Sequence, residues 1–142
     1  MTAAWTKMAA VVLVLGPLCW FVGLLLRTLA VSSAGFTPAE VAQFGAEPFA
    51  VREQLAAYVA NPALTVAGYA TFLAGAVLLI PATAGLTWLV ARRSPVLAAS
   101  GGALAILGLV ARVYFAGVDH TAFQLVDSRG LDAAATMVLD TT

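Results

Sequence analysis

Asp119 and His120 are neighbours in the chain, and His120 is its one histidine. An imidazole titrates near neutrality, ligates metals or haem and serves as acid or base. A carboxylate beside it can orient the ring or share a metal. These two residues are therefore the candidate catalytic and metal-ligating pair. Against that chemistry, structural zinc takes four N or S ligands, and no HxxxH or HExxH pattern is present. A haem would draw its second axial ligand from Met137 or from a partner chain. A cap or interfacial hydrogen-bonding role for His120 is the simpler expectation, and no particular cofactor is predicted.

Arg27 and Arg112 are the second candidate group. Each lies late in a long apolar run, Arg112 about 17 residues along its run, or roughly 26 Å at the helical rise. Their planar donor forks suit an anionic lipid headgroup, a carboxylate or a quinone oxygen. The alternative is that both side chains snorkel to lipid phosphates or nearby acids. Cys19 is the only cysteine, which excludes an intramolecular disulfide and any multi-cysteine metal site. No Walker loop, dinucleotide fingerprint or GxSxG elbow occurs.

These residues have to be positioned by apolar segments. Hydrophobic residues make up 62% of the chain and charged residues 10%, against roughly half and a quarter in soluble domains. The formal net charge of +0 gives no electrostatic basis for binding nucleic acid. The apolar residues gather in three blocks, 8–29, 63–91 and 95–117, each supplying the roughly 20 residues that cross about 30 Å of hydrocarbon. Backbone amides in lipid must bond within their own segment, so all three blocks are expected to be helices, with Pro81 bending the second. The fold class expected is an all-α integral membrane protein forming a single membrane domain over residues 1–142. The first block exceeds the 7 to 15 residues of a signal core, and Arg27 precedes any cleavage site, so it reads as a span and not as a signal peptide.

Lys7 precedes the first block, and Arg92 with Arg93 fills the turn between the second and third. The basic bias near short loops puts the N-terminus and the 92–94 turn in the cytoplasm, and residues 30–62 and 118–142 on the extracytoplasmic side. The acidic residues Glu40, Glu47, Glu53, Asp119, Asp127, Asp132 and Asp140 then all fall outside. Trp5 and Trp88 would mark the inner boundary and Phe36, Tyr58 and Tyr114 the outer one, while Trp20 packs between helices.

The segment from 30 to 62 reads as two short amphipathic helices. Thr37-Pro38-Ala39-Glu40 is a capping-box pattern, and Gly45 would close that helix in a left-handed turn. A second helix is expected from Pro48 to about Ala60, with Val51, Leu55, Tyr58 and Val59 on one face. Asn61 and Pro62 suit the cap and first turn of the next helix. A shift of about 85 residues aligns Gly16 with Gly101, Gly23 with Gly108, Arg27 with Arg112 and Gly45 with Gly130, which suggests a tandem duplication lacking its fourth helix.

Small residues at Ala67, Thr71 and Gly75, and at Ala98, Gly101, Gly102, Ala105 and Gly108, would let helix backbones approach closely. Two partner-facing stripes and no clear catalytic set point to a non-catalytic accessory or scaffolding subunit. Its partners would be the lipid bilayer with other membrane subunits or a second copy. One alternative is a membrane enzyme or redox module using a metal, haem or quinone near the outer interface. The other, a small transporter subunit, needs a polar path, yet the middle thirds of the blocks hold no ionisable group except the Cys19 thiol.

Overall fold

Long apolar runs with no internal cap leave a chain little alternative to helix, and the computed structural model, which describes residues 3–46 and 50–141, contains no strand among them. The elements are α1 (Ala3–Ser33), α2 (Pro38–Gly45), α3 (Val51–Ala60), α4 (Pro62–Ala91), α5 (Pro95–Arg129) and α6 (Leu131–Thr141). Among the described residues, helices α1, α4 and α5 hold three segments long and apolar enough to cross a membrane. Pro17 and Pro81 lie inside α1 and α4 without interrupting them, although each proline withholds one amide from the ladder.

The joints follow local chemistry. Gly35 (φ +68°) turns the chain after α1, and Thr37 opens α2 with the expected reciprocal box. The Thr37 N–H donates to Glu40 Oε2 at 2.8 Å and the Glu40 N–H to Thr37 Oγ1 at 3.4 Å. Gly45 does not take the left-handed conformation expected of it. It ends α2 as a helical residue, and the last turn is closed by the Ala46 N–H donating to the Gln43 carbonyl at 3.2 Å. A bond of that tighter i→i+3 kind satisfies the terminal carbonyl without a left-handed residue. Glu47 and Pro48, where the second short helix was expected to begin, lie outside the described residues. Ala50, just before α3, takes φ 50° and ψ 37°, a left-handed conformation that costs an L-residue roughly 1–2 kcal/mol.

Asn61 stands at the start of α4 as expected, its carbonyl accepting from the Thr65 N–H at 3.0 Å while its side-chain Nδ2 donates to Ser33 Oγ at 3.0 Å. The third long helix also runs past its expected end at Gly117, continuing to Arg129. A glycine inside a helix costs about 1 kcal/mol, and burial of Ala122, Phe123 and Val126 outweighs it. Gly130 ends α5 with φ +84°, its N–H donating to the Val126 carbonyl at 2.9 Å, the closure that glycine makes without a Cβ clash. At the 85-residue shift α1 stops at Ser33 while α5 passes the matching position 118 unbroken.

The chain divides into two compact units, Met1–Gly23 with Ala70–Ala116 and Leu24–Tyr69 with Gly117–Thr142. Helices α1, α4 and α5 contribute residues to both. In the first unit α1 and α4 come into backbone contact. A Cβ at Gly23 would stand 2.5 Å from the Phe72 amide nitrogen, and one at Gly75 2.8 Å from the Gly16 carbonyl oxygen. The Trp20 ring stacks on Phe72 with centroids 5.0 Å apart, so it packs between helices as expected. On α5 the buried face carries Ala98, Gly102 and Leu109, and Gly102 lies directly against the Thr87 side chain. Gly101, Ala105 and Gly108 do not join that seam. All three are exposed, as is Ala67 on α4; Gly101 and Gly108 are each one residue from the buried Gly102 and Leu109, an offset that rotates a helix face by about 100°. Thr71 is half-buried.

The second unit has its own core. Leu55 of α3, Ala122, Phe123 and Val126 of α5, and Ala134 and Ala135 of α6 form one cluster, with Val51, Tyr58 and Tyr69 packed against it. Val59, expected on the same face, is exposed, and Ala57 is buried instead.

Candidate functional site

Within the second unit, the last turns of α1, the middle of α3 and the first turns of α4 line an open cavity of about 290 Å³. Its polar lining comes from Arg27, Thr28, Glu53, Gln54, Thr65 and Tyr69. Thr65 and Tyr69 share a helix face at i, i+4 spacing, which gives an otherwise apolar helix one polar edge. Thr65 is 2% exposed, and its hydroxyl donates back to the Ala57 carbonyl at 3.2 Å, so no buried hydroxyl is left unsatisfied there.

Arg27, Tyr69 and Gln54 form a connected series. The Arg27 guanidinium lies over the Tyr69 ring, its carbon 4.3 Å from the centroid, and Nη2 donates to the Tyr69 hydroxyl at 3.2 Å. That hydroxyl in turn donates to Oε1 of Gln54. The Tyr69 ring is braced from another side by the edge of Phe123, with centroids 5.0 Å apart. A cation held by a ring face and by a polarised hydroxyl is fixed before any ligand arrives. Glu53 is half-buried on the same wall, and no hydrogen bond or ion pair of its carboxylate is found among the described residues. The cavity therefore presents one positive and one negative side chain.

The candidates read from sequence fare differently. Arg27 lines this cavity. Arg112 does not, and its guanidinium lies over the Phe72 ring at 4.6 Å in the first unit. Asp119 and His120 are consecutive residues inside α5, Asp119 half-buried and His120 exposed. Consecutive helix positions diverge by about 100° and do not face each other, so Asp119 does not face the His120 ring. The nearest partner of the His120 ring is Gln124, with the two Nε2 atoms 3.4 Å apart. Met137 lies exposed on α6. Among the described residues no group of three or more His, Cys, Asp or Glu side chains is gathered as metal ligands would be.

Glu53, Gln54, Thr65 and Tyr69 were not singled out from the sequence as site residues. The polar pair at i, i+4 in the first turns of the second apolar block was the available signal. A second concavity of about 480 Å³ between α5 and α6 is lined by Arg129, Asp132 and Asp140, all exposed, which marks it as a solvated charged face. Comparison with known proteins finds no matching family model, no matching curated protein and no matching solved structure.

Proposed function

We propose that this chain is an integral membrane protein that crosses the bilayer three times and serves as a non-catalytic accessory or scaffolding subunit of a larger membrane assembly. Insertion is supported by the outward surface of the long helices. Phe21, Leu97, Leu104 and Leu107 are between 64% and 71% exposed, a surface that water disfavours and hydrocarbon accepts. On this reading Lys7 and the Arg92-Arg93 turn lie in the cytoplasm, and residues 30–62 and 118–142 lie on the extracytoplasmic side.

The accessory role rests on one observation. Gly101, Ala105 and Gly108 form an exposed small-residue face on α5, and a Cβ at Gly101 or Gly108 meets nothing within 4 Å. In lipid such faces let a second helix pack backbone to backbone, and the occupant is another membrane subunit or a second copy of this chain. Purification from native membranes in mild detergent should yield a complex or an oligomer. The paired substitution Gly101→Leu and Gly108→Leu should release the partner while leaving this chain folded. A lone monomer from native membranes defeats the proposal.

A second reading, ligand binding, is favoured by the pre-fixed Arg27 and the Glu53 carboxylate on one cavity wall.

A further inference from the structure

We propose that the cavity between α1, α3 and α4 binds a phosphate ester that also carries a primary ammonium, the phosphoethanolamine group, with Arg27 holding the phosphate and Glu53 the ammonium. This rests on the membrane reading above.

A cavity of about 290 Å³ lies at the small end of ligand sites and suits a headgroup-sized molecule. Arg27 supplies a planar fork matched to phosphate oxygens, and the ring and hydroxyl of Tyr69 fix that fork in place. Gln54 accepts from the same hydroxyl, so the positive end of the site is set by three helices. Glu53 supplies the negative end. An anion alone would meet the Glu53 charge unfavourably, and a cation alone would meet Arg27. A ligand carrying both charges complements both side chains.

The lining also distinguishes between ammonium types. A trimethylated ammonium is bound by a cage of aromatic faces, and the aromatic ring of this cavity, Tyr69, already has the Arg27 guanidinium over it. A primary ammonium instead donates charge-assisted hydrogen bonds, which a carboxylate accepts. Arg27 lies within the last two turns of α1, and Thr65 and Tyr69 within the first two turns of α4. Ends of membrane-crossing helices lie at headgroup depth, which makes a phospholipid a suitable source of the group.

The test uses the full chain in nanodiscs carrying equal amounts of phosphatidylethanolamine, phosphatidylcholine and phosphatidylglycerol, with bound lipid read by native mass spectrometry after gentle release. Phosphatidylethanolamine should exceed each of the others roughly tenfold, the equivalent of one charge-assisted hydrogen bond. Glu53→Gln should erase the advantage over phosphatidylglycerol, and Arg27→Gln should weaken all three. Displacement of bound lipid by free O-phosphoethanolamine, and not by phosphocholine, would support the site with a soluble compound as its ligand. A preference that the free compound does not displace would support it with the lipid as source. Equal binding of the three lipids by the inserted wild-type chain overturns the site, as does selectivity that survives Glu53→Gln. A chain that instead stays folded in detergent-free buffer overturns the membrane reading.

Discussion

The phenol of Tyr58 on α3 donates a 2.8 Å hydrogen bond to Oδ2 of Asp127 on α5, 69 residues further along the chain. The same ring stacks on Phe123 with centroids 4.5 Å apart. One side chain thus joins two helices through both its apolar face and its polar tip.

That bond makes the second unit sensitive to alkali. Asp127, through the hydrogen bond and then with desolvation and its charge, pushes the Tyr58 phenol above its ordinary pKa of 10.0. A raised value means the folded state favours the protonated phenol. Its contribution is therefore complete below pH 10 and lost as pH rises through the raised value. Thermal unfolding in detergent should fall more steeply above pH 10 in the wild type than in Tyr58→Phe. At neutral pH the variant should be destabilised by about 0.5–1.5 kcal/mol.

The capping box at the start of α2 should respond to acid. Hydrogen bonds from the Thr37 side chain and backbone hold the Glu40 carboxyl below its ordinary pKa of 4.5. A lowered value places the stabilisation above that pH and removes it as pH falls further. Hydrogen exchange across 38–45 should be roughly fivefold faster in Thr37→Ala at neutral pH. The gap between variant and wild type should narrow in acid, as the bond from the Thr37 hydroxyl to the Glu40 carboxylate is lost and the one from the Glu40 N–H to Thr37 Oγ1 remains.

Glycines of the same type should behave oppositely according to what surrounds them. Gly23→Ala brings a methyl group against the backbone of Phe72 and should cost about 1–3 kcal/mol, the usual range for overpacking. Gly101→Ala meets nothing within 4 Å and should raise helix stability by up to about 1 kcal/mol. Parallel thermal melts of the two variants in one detergent are sufficient to check the signs.

Arg52 and Asp132 form a 2.6 Å ion pair between α3 and α6, with the Asp132 side chain 88% exposed. Exposed pairs contribute about 0.2–1 kcal/mol and are screened by salt. Asp132→Asn should therefore lower stability only slightly at low ionic strength, and the difference should vanish at high salt. A larger loss would mean that the pair anchors α6.

The long helices were legible in the sequence because apolar run length is a local property, and so was the Thr37 box, which needs four residues. The end of the third helix was not. Gly117 and the polar Asp119-His120 pair resemble an exit, and only the packing of Phe123 and Val126 carries the helix onward. The left-handed turn expected at Gly45 was not needed once a tighter bond closed α2, and the one that forms at Gly130 was not singled out. The cavity was half legible. Arg27 stood out as a charge in an apolar run, but its tyrosine lies 42 residues away and the glutamine that orients this tyrosine a further 15 from it. Tertiary packing alone brings the three together.

The obstacle facing any side chain at Gly23 or Gly75 includes main chain as well as side chain: the Phe72 nitrogen and Cα in one case, the Gly16 oxygen and Trp20 nitrogen in the other. Trimming a neighbour to make room is therefore no remedy, because every amino acid carries those atoms. A screen for second-site suppressors of Gly23→Leu should return nothing at position 72, whereas exchanges among Leu, Val and Phe on the outward surface should pass freely. Sequence drift in this protein would accumulate on its outer faces and stall at that contact.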